Sequence, residues 1–310
     1  MPSLKEIKGR IASVKSTLKI TSAMKMVASA KLHKAQQAIG NMVPYEKRLQ
    51  RIFVDLMSAG TSMEGEGLSS LTTERPVRHV AIVAFSSNSS LCGAFNSSII
   101  RMATDVVKEY RSAGLQDTDI TVYSVGKKMA DAMRRLGFQS PADYTRMAES
   151  PSYGAAAELA QELLDGFLSG KYDKVELVYN HFKSTASQPS TRQVYLPFSV
   201  SDSPSELNSG KSNAVHTEEL PKVVNPEDLI IEPSADELIE HLLPMVIRLR
   251  VYTTLLDSNA AEHAARTVAM QTATDNGEDL LQELTLEYNK GRQQKITSEI
   301  LDIVSGSMNK

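Results

Sequence analysis

The residues best placed to do chemistry in this sequence are a Ser-rich turn and a short Gly-Lys-Ser run. An apolar stretch, His79 to Phe85, leads into Ser86 to Asn96, which carries Gly93 and the single cysteine, Cys92, ahead of a helical pattern. Strand-to-helix turns of this kind hold pyrophosphate in dinucleotide folds, but close backbone approach needs three spaced glycines, and they are absent. Gly210, Lys211 and Ser212 resemble the end of a phosphate loop. The glycine such a loop needs five residues before Gly210 is Ser205, no strand leads in and no helix leads out. A helix N-terminus can lower a thiol pKa, yet a small residue packed in a tight turn is the simpler account of Cys92.

The remaining candidates are weaker. His33, His79, His181, His216, His241 and His263 are scattered, and none pairs with another ligand-type residue at a metal-binding spacing. One cysteine makes neither an intrachain disulfide nor a site needing two thiolates. His263, with Glu262 and Arg266 on a long helical pattern, reads as solvated or partner-facing. No Ser/His/Asp arrangement appears. Catalytic residues, metal ligands and cofactors are therefore all expected to be absent.

The elements around these residues say more. The chain has 310 residues, a net charge of −3, scarce aromatics and no Trp. That balance suits long helices with narrow seams, and gives no global preference for nucleic acid. No run of about eighteen apolar residues exists to span a membrane. The basic, Ser-rich N-terminus superficially resembles a transit peptide, but its periodicity continues unbroken for another thirty residues. Ser3 and Glu6 are spaced as a capping box. From Leu4 the spacing alternates three and four through Ile7, Ile11, Val14, Leu18, Thr21, Lys25, Ala28, Leu32 and Ala35, and on to Leu56. A sustained 3.5-residue repeat predicts a left-handed coiled coil, in a helix roughly 80 Å long. Pro44 is expected to bend it.

Helical rhythm returns after a second capping-box pair, Ser234 and Glu237, and runs through Leu238, Leu242, Met245, Leu249, Tyr252 and Leu256. Its seam then carries Asn259, His263 and Arg266 before Met270, Ala273, Leu280 and Leu284, with Ile296, Ile300 and Ile303 as its last apolar positions. Pro244 is expected at a kink or at the first turn. Between the long helices, strands at 79–85, 120–125, 175–181 and 192–200 alternate with helices at 97–112, 127–136 and 153–168. This pattern predicts a small, mostly parallel sheet whose last two strands pair as a hairpin. The fold class is α/β: a long antiparallel coiled coil of the terminal helices plus a central Rossmann-like domain. The boundaries fall at 1–59 for the first helix, 76–200 for the α/β domain, 201–233 for a linker with a short edge strand at Leu229 to Glu232, and 234–310 for the last helix. The basic first helix, eight Lys and Arg up to Lys34 against Glu6 alone, is either a solvated face or a stripe that meets acidic loops of a partner.

Three stretches also carry a resemblance. KITSAMKMVASAKL (19–32), AEHAARTVAMQTATDNG (261–277) and LTLEYNKGRQQKITSEILDIVSG (284–306) are similar to the terminal helices of the F-type ATP synthase gamma subunit family, and LCGAFN (91–96) to the turn opening its α/β domain. The resemblance covers the chain in order. It implies a rotor shaft without an active site, held by three alpha and three beta subunits, bound by epsilon and docked on a membrane c-ring. It implies contacts to beta-subunit loops by Arg292, Gln293 and Thr297, and by Met24 and Lys25 towards an acidic loop. Arg266 also falls in a matching motif, with no partner assigned. It implies a peripheral place on the cytoplasmic face of a bacterial inner membrane. Asn88, Ser89 and Ser90 replace the family's usual acidic residue, arginine and glycine, which puts contacts of that charged pair in doubt. The chain lacks the dithiol insertion of chloroplast members. The alternative is a static coiled-coil scaffold, which would be expected to keep apolar seams throughout.

Overall fold

In the computed structural model, residues 3–58, 71–198, 231–232 and 234–308 are described. The elements are α1 (Leu4–Ser58), β1 (Val80–Phe85), α2 (Phe95–Ser112), β2 (Ile120–Val125), α3 (Lys127–Arg135), α4 (Thr145–Glu149), α5 (Tyr153–Leu168), β3 (Lys174–Asn180), β4 (Ser190–Leu196) and α6 (Ala235–Met308). They divide into two compact units: residues 1–30 with 266–310, and residues 31–265.

The first unit is an antiparallel coiled coil. Glu6 N donates to Ser3 Oγ at 3.2 Å, the hydroxyl half of the expected capping box. Ile7, Thr21 and Ala28 are buried at the heptad positions, with Leu4, Ile11, Val14, Leu18 and Lys25 partly covered between them. Three contacts fix the direction: Thr21 meets Thr274, Leu18 lies over Gly277, and Leu4 lies over Gly291. Each step back along α1 is matched by an equal step forward along α6. The α6 seam continues from Met270 through Thr274, Gly277, Leu281 and Leu284 to Tyr288 and Gly291. Leu281 therefore takes the place expected for Leu280, which is an exposed neighbour.

In the second unit the strand order is β2-β1-β3-β4. β1 pairs parallel with β2 and β3, and β4 closes the edge antiparallel to β3. Every residue of β1 is buried, as a parallel strand covered on both faces requires. Val80, Ile82 and Ala84 face Ile99, Ala103 and Val106 of α2 with Met129 and Met133 of α3. Ala81, Val83 and Phe85 face the opposite layer, built from Leu159, Leu163 and Phe167 of α5 and Leu243, Ile247 and Leu255 of α6. Burial of this many side chains, at about 25 cal/mol per Å², holds the unit together.

The strands and helices of the centre lie within two residues of their expected starts. β4 ends at Leu196, short of Val200. Pro44 and Pro244 both lie inside their helices, so Pro244 does not open the last helix, which starts at Ala235. The expected linker, most of the edge strand at Leu229 to Glu232, the Gly210–Ser212 run and His216 lie outside the described residues. Ile231 and Glu232 are described and are not in a strand.

Candidate functional site

In an open α/β sheet, ligands bind in the crevice at the carboxyl ends of the strands. Here α6 fills that crevice. Leu255, Ser258, Asn259 and Glu262 pack over Phe85, Ser86, Val125 and Ala148, leaving a cavity of about 10 Å³. That is room for one water and no larger ligand. Asn259 Nδ2 closes it by donating to Ala148 O at 3.3 Å.

The turn after β1 is spent internally as well. Ser86 Oγ accepts from Met129 N at 2.9 Å, and Asn96 Nδ2 donates to Ser87 Oγ at 2.8 Å and to Cys92 Sγ at 3.1 Å. Cys92 is buried among Phe95, Ala261 and Ala265, the packed-turn reading. Leu91 and Gly93 adopt positive φ to make the turn. Asn88 ties the turn to its neighbours: Oδ1 accepts from Lys127 N at 2.9 Å and Nδ2 donates to Thr145 O at 2.8 Å. Asn88 is thus an internal strut between the turn, α3 and α4.

The polar groups of the second unit form structural networks. Glu176 on β3 is 1% exposed and accepts from Tyr110 Oη at 2.7 Å, Arg192 Nε at 2.8 Å and Lys174 Nζ at 3.0 Å. Burial alone would raise its pKa. The hydrogen bonds from Arg192, Tyr110 and Lys174 outweigh burial and hold the carboxyl below its ordinary value. Tyr123 hydrogen-bonds Tyr172 and Glu162, and burial with those contacts pushes its hydroxyl up, so it stays protonated. Glu262, His263 and Arg266, read from the sequence as solvated or partner-facing, are buried, which corrects the solvated alternative. Among the described residues no group of three or more His, Cys, Asp or Glu comes together as a metal site, and no helix is long and apolar enough to cross a membrane.

The residues singled out from the sequence as contacts all lie in the first unit. Met24 and Lys25 are partly covered on α1, Arg266 is buried on α6, and Arg292, Gln293 and Thr297 are exposed beyond Gly291. The Thr21–Thr274 pairing sets Met24 and Lys25 near residues 270–271, so Arg292 stands about 30 Å further along the helix at 1.5 Å per residue. They form two levels of one helix pair and do not converge on a single site. Sequence reasoning missed a further feature, a set of bare apolar side chains. Ile20, Met26 and Val27 are exposed on α1, and Leu286, Leu301 and Val304 on α6; Ile296, Ile300 and Ile303, expected in the seam, are exposed too. Ile20 and Val27 stand one heptad apart outside the seam, and that was the signal available for them.

Paired helices with bare apolar faces, and an α/β crevice filled by the chain's own helix, are the features of a protein that works by contact. The family model described as ATP synthase matches residues 3–308. The ATP synthase gamma chain of Phocaeicola vulgatus is 53% identical over 308 residues, covering 99% of this chain and 100% of that one. The gamma chain of Bacteroides fragilis strain ATCC 25285 is 54% identical with the same coverage. The rotor of Euglena gracilis mitochondrial ATP synthase has a similar fold at TM-score 0.58 and 20% identity, covering 94% of this chain and 98% of that one. The central stalk/c-ring structure of the Tetrahymena thermophila enzyme gives 0.52 at 22% identity, covering 82% and 99%. This chain belongs to the ATP synthase gamma chain family. The solved structures whose fold it shares are described as the rotor and central stalk of ATP synthases.

Proposed function

We propose that this chain is the central shaft of the synthase and turns within a ring of three alpha and three beta subunits, with epsilon bound to it and its other end docked on a membrane c-ring. The observation that carries this reading is the end of α6. Every described side chain from 292 to 305 is exposed, and Leu301 and Ile303 are 62% and 72% bare. Exposed apolar side chains in this number on one helix end belong against another protein, and a collar of surrounding subunits supplies it. Arg292, Gln293 and Thr297 then meet beta-subunit loops at that level, Met24 and Lys25 face an acidic beta loop lower down, and Arg266 stands near them. The domain limits 1–59, 76–200, 201–233 and 234–310 separate shaft, α/β domain, linker and shaft. The chain sits peripherally on the cytoplasmic face of a bacterial inner membrane.

The mechanism is unequal contact. An asymmetric shaft presents different faces to three identical sites, and a partner shifts an equilibrium only through unequal interaction with its states. Each beta site is thereby carried through different affinities for nucleotide, which the shaft itself does not bind. Co-expression with the alpha and beta subunits of the same organism tests this. The expected product is a complex of three alpha, three beta and one copy of this chain that hydrolyses ATP only when the chain is present. Alpha and beta that assemble competently while this chain stays separate would sink the proposal, leaving the scaffold reading.

A further inference from the structure

β3 ends at Asn180, and the two residues that follow it reach α6. His181 Nδ1 lies 2.6 Å from Asp257 Oδ2, and Phe182 N donates to Asp257 Oδ1 at 2.9 Å. The side chains of His181 and Asp257 are 8% and 18% exposed, so little water competes for the carboxylate. The strand end is itself anchored. Asn180 Nδ2 donates to Phe95 O at 3.0 Å, Ser190 Oγ donates to Asn180 Oδ1 at 2.6 Å, and His181 N donates to Pro189 O at 2.8 Å. Phe182 packs against two small clusters, Ala260 and Ala264 of α6 with Leu32 and Ala35, and Ala261 and Ala265 of α6 with Cys92 and Phe95. All of these residues belong to the second unit.

We propose that Asp257 is a clamp, a positioning residue that fixes the end of the central sheet to the shaft helix so that torque passes between them without slip. This rests on the rotor reading above. The need for a clamp follows from the alanines. Leu243, Ile247 and Leu255 pack α6 against the layer of β1 and α5, but at the end of β3 the α6 side chains under Phe182 are short alanines, and non-directional apolar contact with them gives the strand end no defined height. Hydrogen bonds to a charged acceptor are directional and about twice as strong as neutral ones. With both carboxylate oxygens engaged by consecutive residues, the strand end has a defined height and angle on α6. Asparagine in this place would keep one acceptor and present a donor where the second acceptor stood.

The test uses the complete synthase in vesicles, comparing ATP hydrolysis with ATP-driven proton pumping for Asp257→Asn, Asp257→Glu and His181→Gln. Hydrolysis is expected to hold while pumping per ATP falls about threefold or more in Asp257→Asn, with Asp257→Glu recovering part of it. Asp257→Asn combined with His181→Gln is expected to be no worse than the more impaired single variant, since both break one contact. Hydrogen exchange at the Phe182 amide reads the bond directly and is expected to accelerate in complexes carrying Asp257→Ala, which leaves no acceptor and is assayed for pumping alongside the others. Accelerated exchange with unchanged pumping per ATP makes the bond merely structural and overturns the clamp. Unchanged exchange overturns it too, because the bond is then not made. If the Asp257 variants do not assemble, His181→Gln decides by pumping per ATP, and unchanged pumping there overturns the clamp. A wild-type complex that never couples hydrolysis to pumping overturns the rotor reading, and the torque role with it.

Discussion

Thr21 and Thr274 face each other across the helix pair with their Oγ1 atoms 2.9 Å apart. Each hydroxyl also lies within reach of a carbonyl of its own helix, Thr21 at 3.1 Å from Leu18 O and Thr274 at 2.8 Å from Met270 O. Neither group is therefore stranded when the other is removed. Thr21→Val alone is expected to cost less than about 1 kcal/mol, a typical net hydrogen-bond contribution. The double variant with Thr274→Val, which makes the seam locally apolar, is expected to melt at or above the wild-type temperature. Thermal unfolding followed by circular dichroism checks this. A double variant that loses more than the two single variants together would show that the hydroxyl pair carries register.

Gly277 and Gly291 take leucine knobs at different depths. A Cβ at Gly277 would lie 2.7 Å from Leu18 Cδ2 and 3.2 Å from its Cγ, whereas at Gly291 the nearest atom is Leu4 Cδ2 at 3.1 Å. Alanine improves helix propensity over glycine by about 1 kcal/mol. Gly291→Ala is expected to keep most of that gain, while Gly277→Ala gives part of it back by displacing Leu18. Gly277→Leu is expected to overpack the seam and cost about 1–3 kcal/mol. Melting temperatures ranked Gly291→Ala, Gly277→Ala, Gly277→Leu from highest to lowest are the expected result.

The buried Glu176 gives the second unit an acid-sensitive lock. Its folded pKa lies below the ordinary 4.5, because its three hydrogen bonds outweigh burial. A depressed carboxylate contributes stability above its unfolded pKa and loses it as pH falls through the folded value. Wild-type stability is therefore expected to fall more steeply than that of Glu176→Gln as pH drops below 4.5, the two curves converging in stronger acid. Arg192→Met at neutral pH removes the bidentate partner and leaves the charge to Lys174 and Tyr110. A loss of about 3 kcal/mol is expected, the lower end for breaking a buried pair. Chemical denaturation as a function of pH measures both.

Local periods carried most of the fold into view. Ile7, Thr21, Ala28, Leu32, Ala35, Leu49 and Leu56 are all buried where the heptad puts them, since a 3.5-residue repeat leaves one phase for the seam. β1 was equally plain, because a strand covered on both faces must be apolar throughout. α4, five residues from Thr145 to Glu149, is too short to show a period at all. Leu280 and Leu281 are both apolar, and a three-four rhythm resumed after a polar gap selects the wrong one. Ile296 to Ile303 show a further limit: periodicity reveals that a helix face is apolar, not what covers it. Glu262 read as solvated or partner-facing because the residues beside it, Phe85, Ser86, Val125 and Ala148, are distant in the chain. The bonds of Asp257 span about 75 residues, and no local pattern points to them.

The exposed end of α6 separates stability from function more cleanly than any other region. Arg292 and Gln293 are exposed, and among the described residues the last leucine knob of α1, Leu4, lies at Gly291. Thr297 Oγ1 is satisfied within the helix by Gln293 O at 2.9 Å, a backbone contact that survives replacement of the Gln293 side chain. Arg292→Ala with Gln293→Leu is therefore expected to leave the unfolding free energy of the isolated chain within about 0.5 kcal/mol of wild type. In the assembled synthase the same variant is expected to impair ATP-driven proton pumping, because the side chains it removes are those assigned to beta-subunit loops. Melting the isolated chain and assaying pumping in vesicles give two independent readings. A lowered melting temperature would mean the residues pack within the chain. Unchanged pumping at unchanged stability would remove Arg292 and Gln293 from the contact, leaving bare apolar residues such as Leu301 and Ile303 to engage the collar.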